Sequence, residues 1–120
     1  MNIAAIKRLY QDTIKKWGEK PQVEMAIEEM AELILALRHY DRGRISGQEV
    51  ISEIADVQIM MAQLAVMYGE HRVEEAKAKK LARLAERVYS GAEASMSSRI
   101  PPYTSQREYK SSLSFTDNVL

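Results

Sequence analysis

Four acidic residues stand out for the company they keep. Glu29 and Glu32 lie three apart inside Ile27-Glu28-Glu29-Met30-Ala31-Glu32-Leu33, and Glu53 and Asp56 lie three apart inside Ile51-Ser52-Glu53-Ile54-Ala55-Asp56-Val57. Residues three apart on an α-helix share a face, so each segment presents two carboxylates on a stripe that is otherwise apolar. Burying a carboxylate without a partner is costly, and like charges held close together repel. A hard divalent cation answers both costs. Oxygen-only side-chain ligands suit Mg²⁺, with Mn²⁺ as a substitute, and the chain has no cysteine to supply a thiolate.

The ordinary reading of adjacent helical acids is a solvated face, and Glu74-Glu75, set among Lys and Arg, is read that way. One carboxylate pair in apolar surroundings is ordinarily a structural ion pair with Lys or Arg. Two such pairs on helices joined by a short loop weaken that reading, because both pairs then face the same seam.

The elements that must position these acids are helices. Ile3, Ile6, Leu9/Tyr10, Thr13/Ile14 and Trp17 recur at helical spacing, and Gly18 is the natural stop. A second helix is expected from about Pro21 to Tyr40, with Pro21 in its first turn and no internal Gly or Pro. On it Gln22, Met25, Glu29, Glu32, Ala36 and His39 make one stripe, and Val23, Ile27, Met30, Ile34 and Leu37 make a second, so two faces seek contact. Asp41 to Gly47 reads as a loop between antiparallel helices. Ser46-Gly47-Gln48-Glu49 is a capping-box pattern, so a third helix starts near Gly47 and runs to Tyr68, apolar on nearly every side. Glu53, Asp56, Met60 and Gln63 share one of its stripes. After Gly69 a fourth helix, about His71 to Tyr89, carries Lys77, Lys79, Lys80, Arg83 and Arg87.

The fold class is therefore all-α: a four-helix domain over residues 1–90, followed by an extended or disordered tail over 91–120. The tail is rich in Ser and contains Ile100-Pro101-Pro102-Tyr103, which does not continue a helix. Its Tyr103, Tyr109, Leu113 and Phe115 are available to dock on another subunit. The Met60, Met61 and Met67 group reads as core or subunit packing.

Composition narrows the function classes. Seventeen basic and seventeen acidic residues cancel, which leaves no field to steer the chain to nucleic acid or to an anionic membrane. The absence of cysteine excludes a disulfide scaffold and fits a cytoplasmic protein. No signal peptide is apparent, and the weakly charged run Val57 to Gly69 is too short to span a bilayer.

Glu28-Glu29-Met30-Ala31-Glu32-Leu33 followed by Glu53-Ile54-Ala55-Asp56 closely resembles the paired acidic signature of the MazG-like all-α nucleoside triphosphate pyrophosphatases. That superfamily also holds the dimeric dUTPases, the dCTP pyrophosphatases and the phosphoribosyl-ATP pyrophosphatases. Trp17-Gly18 and Gln22, leading into Met25-Ala26-Ile27, look like the start of the short single-domain members, and the likeness covers roughly Ile14 to Arg87. The resemblance implies a four-helix bundle assembled as a homodimer or homotetramer. It implies hydrolysis of a (d)NTP to the monophosphate and pyrophosphate, with Glu29, Glu32, Glu53 and Asp56 holding Mg²⁺. Glu28, just before the first ligand, takes the place of the residue that orients or deprotonates the attacking water. A deoxynucleotide is the favoured substrate, dGTP, dUTP or dCTP among them, and the setting is the cytoplasm, or the host cytoplasm for a phage-encoded chain.

Other site residues rest on looser grounds. Lys80 and Arg83 are the candidates for binding phosphate, as charge-assisted donors, against a solvated basic face; Lys77 or Arg87 can replace them. Gln22 continues the acidic stripe and can read a base edge with its amide. Trp17 can stack on a base, although an indole at a helix end more often plugs the core. His39 reads as a surface or interface residue. Two rivals remain: a non-catalytic helical interaction module whose acids pair with Lys80, Arg83 and Arg87, and a phosphoribosyl-ATP pyrophosphatase-like enzyme.

Overall fold

The computed structural model describes residues 1–90. The expected tail over 91–120 lies outside the described residues. Four α-helices account for the regular structure of the described part, with no strand among them: α1 (Ile3–Trp17), α2 (Glu19–Asp41), α3 (Gly47–Tyr68) and α4 (Glu70–Tyr89).

Local chemistry sets the boundaries. The Asn2 side chain accepts from the Ala5 amide at 2.8 Å, which caps α1. Gly18 alone separates α1 from α2, at φ 95°; an L-side chain rarely adopts that backbone, so glycine lets two helices meet at a single residue. Gly69 does the same between α3 and α4, at φ 106°. Pro21 sits in the first turn of α2, where its missing N–H removes no helical bond. The capping box at α3 is present in full. The Ser46 hydroxyl accepts from the Glu49 amide at 3.3 Å, and the Glu49 carboxylate accepts from the Ser46 amide at 2.8 Å.

The chain divides into two units, residues 1–74 and 75–120, each described by itself. In the first, α2 and α3 form an antiparallel hairpin across the short 42–46 connection and make the most extensive contact, with α1 against both. The start of α4 is tied to α1 by an ion pair between Lys7 and Glu70 at 3.2 Å. Of the second unit, the described residues are the remainder of α4, and they are exposed throughout.

The seam of the hairpin differs from the expected stripe by one position at two places. Gln22, Ala26 and Ala36 are buried and Leu33 is half-buried, whereas Met25 and Glu32 are exposed. Ala26 and Ala36 are small enough to let the two backbones approach, which favours turning them inward over the longer neighbours. Opposite them, Val50, Met60 and Gln63 are buried on α3. No large side chain among the described residues is fully buried. Most of the second stripe of α2 finds no cover among the described residues: Val23 and Met30 are half-buried, but Ile27, Ile34 and Leu37 are exposed, as are Ile51, Ile54, Ile59 and Met61 on α3.

By length and a mean hydropathy of 1.5, α3 is sufficient to cross a membrane. It carries Glu53 and Asp56 near its middle, and ionised carboxylates within a bilayer are expensive.

Candidate metal centre

The hairpin brings together three of the four expected acids. One carboxylate oxygen each from Glu29, Glu53 and Asp56 lies within 4.8 Å of the other two. Glu29 comes from α2, and Glu53 and Asp56 come from successive turns of α3, so the group exists only because the 42–46 connection folds one helix back on the other. Glu29 and Glu53 occupy seam positions and are half-buried. The Oε2 atom of each is buried with no hydrogen-bond partner.

Glu32 stands beside this group, one turn along α2 and exposed. It acts on Glu29 directly. The Glu29 carboxyl is held above the ordinary carboxylate range, first by desolvation, then by the negative charges of Glu32 and Asp56, by a hydrogen bond to Glu32, and by the charge of Glu53. Each of these causes favours the protonated form in the absence of a positive partner.

Such a set meets the physical demands of a divalent cation. The donors are all carboxylate oxygens, which suits hard ions. Two of those oxygens are orphaned inside the seam, where a buried acceptor without a donor is destabilising. The spread of the oxygens is comparable to the distance across one magnesium ion, whose bonds to oxygen are about 2.1 Å long. A positive ion beside Glu29 would offset the causes that raise its pKa. The donor set therefore fits Mg²⁺ or Mn²⁺.

The remaining expected residues fall into three groups. Gln22 is buried at 7% exposure, two turns along α2 from Glu29 on the same face. Glu28 is exposed, about 100° round the helix from Glu29. Trp17 is 56% exposed, with the Lys16 ammonium 5.0 Å from its ring centroid; the core reading of this indole does not hold, because α1 ends at it and buries none of its residues. His39 is half-buried near the end of α2. Lys80 and Arg83 are exposed residues of the second unit and are not among those that the first unit brings together.

Gln63 is the residue whose importance the sequence reading passed over. It was visible as a member of the Glu53, Asp56, Met60 stripe. What marks it out is that it is 5% exposed and its Oε1 has no partner, and neither property is legible in a residue type. No family model matches the chain, and no curated protein and no solved structure matches it either.

Proposed function

We propose that the protein is a Mg²⁺-dependent, MazG-like nucleoside triphosphate pyrophosphohydrolase that acts as a homo-oligomer on a (d)NTP in the cytoplasm. A single observation carries the reading. Two buried carboxylate oxygens, Glu29 Oε2 and Glu53 Oε2, lack partners in a group that also includes Asp56. Acids so placed are a liability to a merely structural helix pair and an asset to one that holds cations.

In this reading Glu29, Glu53 and Asp56, with Glu32 alongside, hold the metal. A Mg²⁺ ion held by these carboxylates would supply charge neutralisation to the triphosphate and acidify a bound water. Glu28 accepts the proton of the attacking water through a carboxylate oxygen. Water attacks the α-phosphorus, the bond from that phosphorus to the bridging oxygen breaks, and pyrophosphate leaves. Gln22 and Trp17 serve the nucleoside end. Deoxynucleotides remain the favoured class.

The exposed apolar residues support the oligomeric part of this reading. Ile34 is 64% exposed, and Ile27, Leu37, Ile51 and Ile54 are exposed on the same helix pair. Aliphatic side chains in such number are stabilising when a second copy covers them. The same residues support the second reading, a helical interaction module without catalysis, in which a partner protein covers the face.

The deciding experiment is a pyrophosphate-release screen over the canonical NTPs, dNTPs and dUTP with Mg²⁺ or Mn²⁺, resolving products by chromatography. A dominant substrate yielding its monophosphate supports the enzyme. Silence across the panel, with no thermal stabilisation by millimolar Mg²⁺, favours the interaction module.

A further inference from the structure

Glu29 and Gln22 are seven residues apart on α2, and Asp56 and Gln63 are seven apart on α3. Seven residues bring an α-helix within about 20° of its starting direction, some 10.5 Å along the axis. Each glutamine thus stands above one of the clustered acids, on the same face of its helix. Because α2 and α3 are antiparallel, the step back along α2 and the step forward along α3 point the same way, toward the end of the hairpin opposite the 42–46 connection. The two amides form a second polar level in the seam, and both are more than nine-tenths buried.

Glutamine is rarely so buried unless its amide is paired. Here the Gln63 Oε1 is buried and accepts from nothing. The seam therefore has two unsatisfied levels of different chemistry, separated by two helical turns: carboxylates that call for cations, and an amide carbonyl that calls for a neutral N–H donor. One ligand class carries both demands at such a separation. In a nucleoside triphosphate the metal-bound phosphates and the base edge lie on either side of a sugar, and every base presents N–H or NH₂ donors next to acceptors.

We propose that Gln63, with Gln22 opposite, is the specificity-determining residue of the nucleotide site, its Oε1 accepting a hydrogen bond from an exocyclic amine or ring N–H of the base. This rests on the pyrophosphohydrolase reading for the position of the phosphates. Gln63 acts in selection, by leaving its carbonyl unpaired against a base whose donor lies out of its reach. The acids carry the phosphate end alone.

The test is calorimetric titration of wild type and Gln63→Met with the α,β-imido analogues of the adenine, guanine, cytosine and uracil nucleoside triphosphates, and with inorganic tripolyphosphate, in Mg²⁺. Methionine keeps the length and removes the amide. Wild type is expected to prefer one base by about tenfold or more, the scale of one hydrogen bond to a buried acceptor. Gln63→Met is expected to compress that spread to about threefold and bring all four analogues toward tripolyphosphate, while melting no lower than wild type without ligand. An unchanged order and spread in Gln63→Met, or a wild type that binds all four analogues alike, overturns the proposal. Should Gln63→Met fail to fold, Gln63→Asn, which withdraws the amide by one methylene, is expected to show the same compression. Binding with base preference but no hydrolysis of the parent triphosphates would sink the enzymatic reading and leave the role of Gln63 standing; binding of no probe would sink both.

Discussion

The two sides of the α2–α3 hairpin break the burial rule in opposite directions. Along the seam, polar atoms are inside without partners: Glu29 Oε2, Glu53 Oε2 and Gln63 Oε1. On the outer faces, large apolar side chains are exposed, with no cover among the described residues: Ile27, Ile34, Leu37, Ile51 and Ile54. A buried carboxylate and an exposed isoleucine are both unfavourable for an isolated chain, but different partners relieve them. Charge in a confined seam is relieved by a small cation, and an aliphatic face is relieved by another protein surface. The hairpin thus departs from the burial rule on both sides, and the two departures differ in chemistry.

The largest expected effect separates the two sides outright. Glu53→Gln or Asp56→Asn should lower pyrophosphohydrolase activity by about a hundredfold or more, since even residues that only support metal ligands cost 10- to 100-fold. Circular dichroism and the oligomer should be unchanged. Loss of the oligomer in these variants would mean that seam and outer face are not independent.

A charge on the other side should do the converse. In the proposed homodimer Ile34→Lys would remove an aliphatic contact from each of two subunits, at about 1.5 kcal/mol or more apiece, so the dissociation constant should rise about a hundredfold by sedimentation velocity. If Ile34→Lys sediments as wild type does, the outer face does not hold the subunits together.

Smaller, and confined to the seam, is the response to metal. At a Mg²⁺ concentration ten times its Kd, binding adds about 1.4 kcal/mol of stability, a rise of a few degrees in Tm for a chain of this size. The rise should vanish in Glu29→Gln and persist in Ile34→Lys. Equal rises in all three proteins would place the ion elsewhere.

The smallest effect is on the pH dependence of the metal-free protein. Folding raises the pKa of Glu29, so between its ordinary and raised values the folded chain holds a proton that the unfolded chain has released. Its contribution to stability is therefore fully present below the ordinary glutamate range and is lost as pH rises through the raised value. Denaturant melts in chelator should show this decline in wild type, and Glu29→Gln, which does not titrate, should lack it. Saturating Mg²⁺ should flatten the wild-type curve, because the cation takes the place of the proton.

Much of the helical layout was legible because its signals are local. Gly18 and Gly69 break the chain where only glycine adopts the backbone required, and Ser46 and Glu49 mark the start of α3 with a reciprocal pair of hydrogen bonds. Periodicity identified the seam of α2 within one residue, and its error is instructive. Met25 and Ala26 are equally compatible with a three-or-four step, and the choice fell to Ala26 because packing rewards the residue that lets α3 come close. For Trp17, at a helix end, both base stacking and core plugging were open from the sequence; the structure leaves the indole 56% exposed, so only the core reading falls. For the site, the residue types and spacings of Glu29, Glu53 and Asp56 already suggested a cation. That Glu32 stands outside the close group, exposed but hydrogen-bonded to Glu29, depends on where the seam runs.

What the sequence determined by itself is the set of helices, their caps and breaks, and the presence of acids on apolar stripes, because these rest on interactions within a turn or two of chain. The tertiary structure decided which stripe became the seam, which carboxylate oxygens were stripped of water, that Gln63 was buried without a partner, and that Ile34 was left uncovered. Those outcomes depend on what lies across a helix interface. Desolvation and pairing are properties of a place in space, shared by residues distant along the chain, and they come into being only when α2 and α3 close on each other.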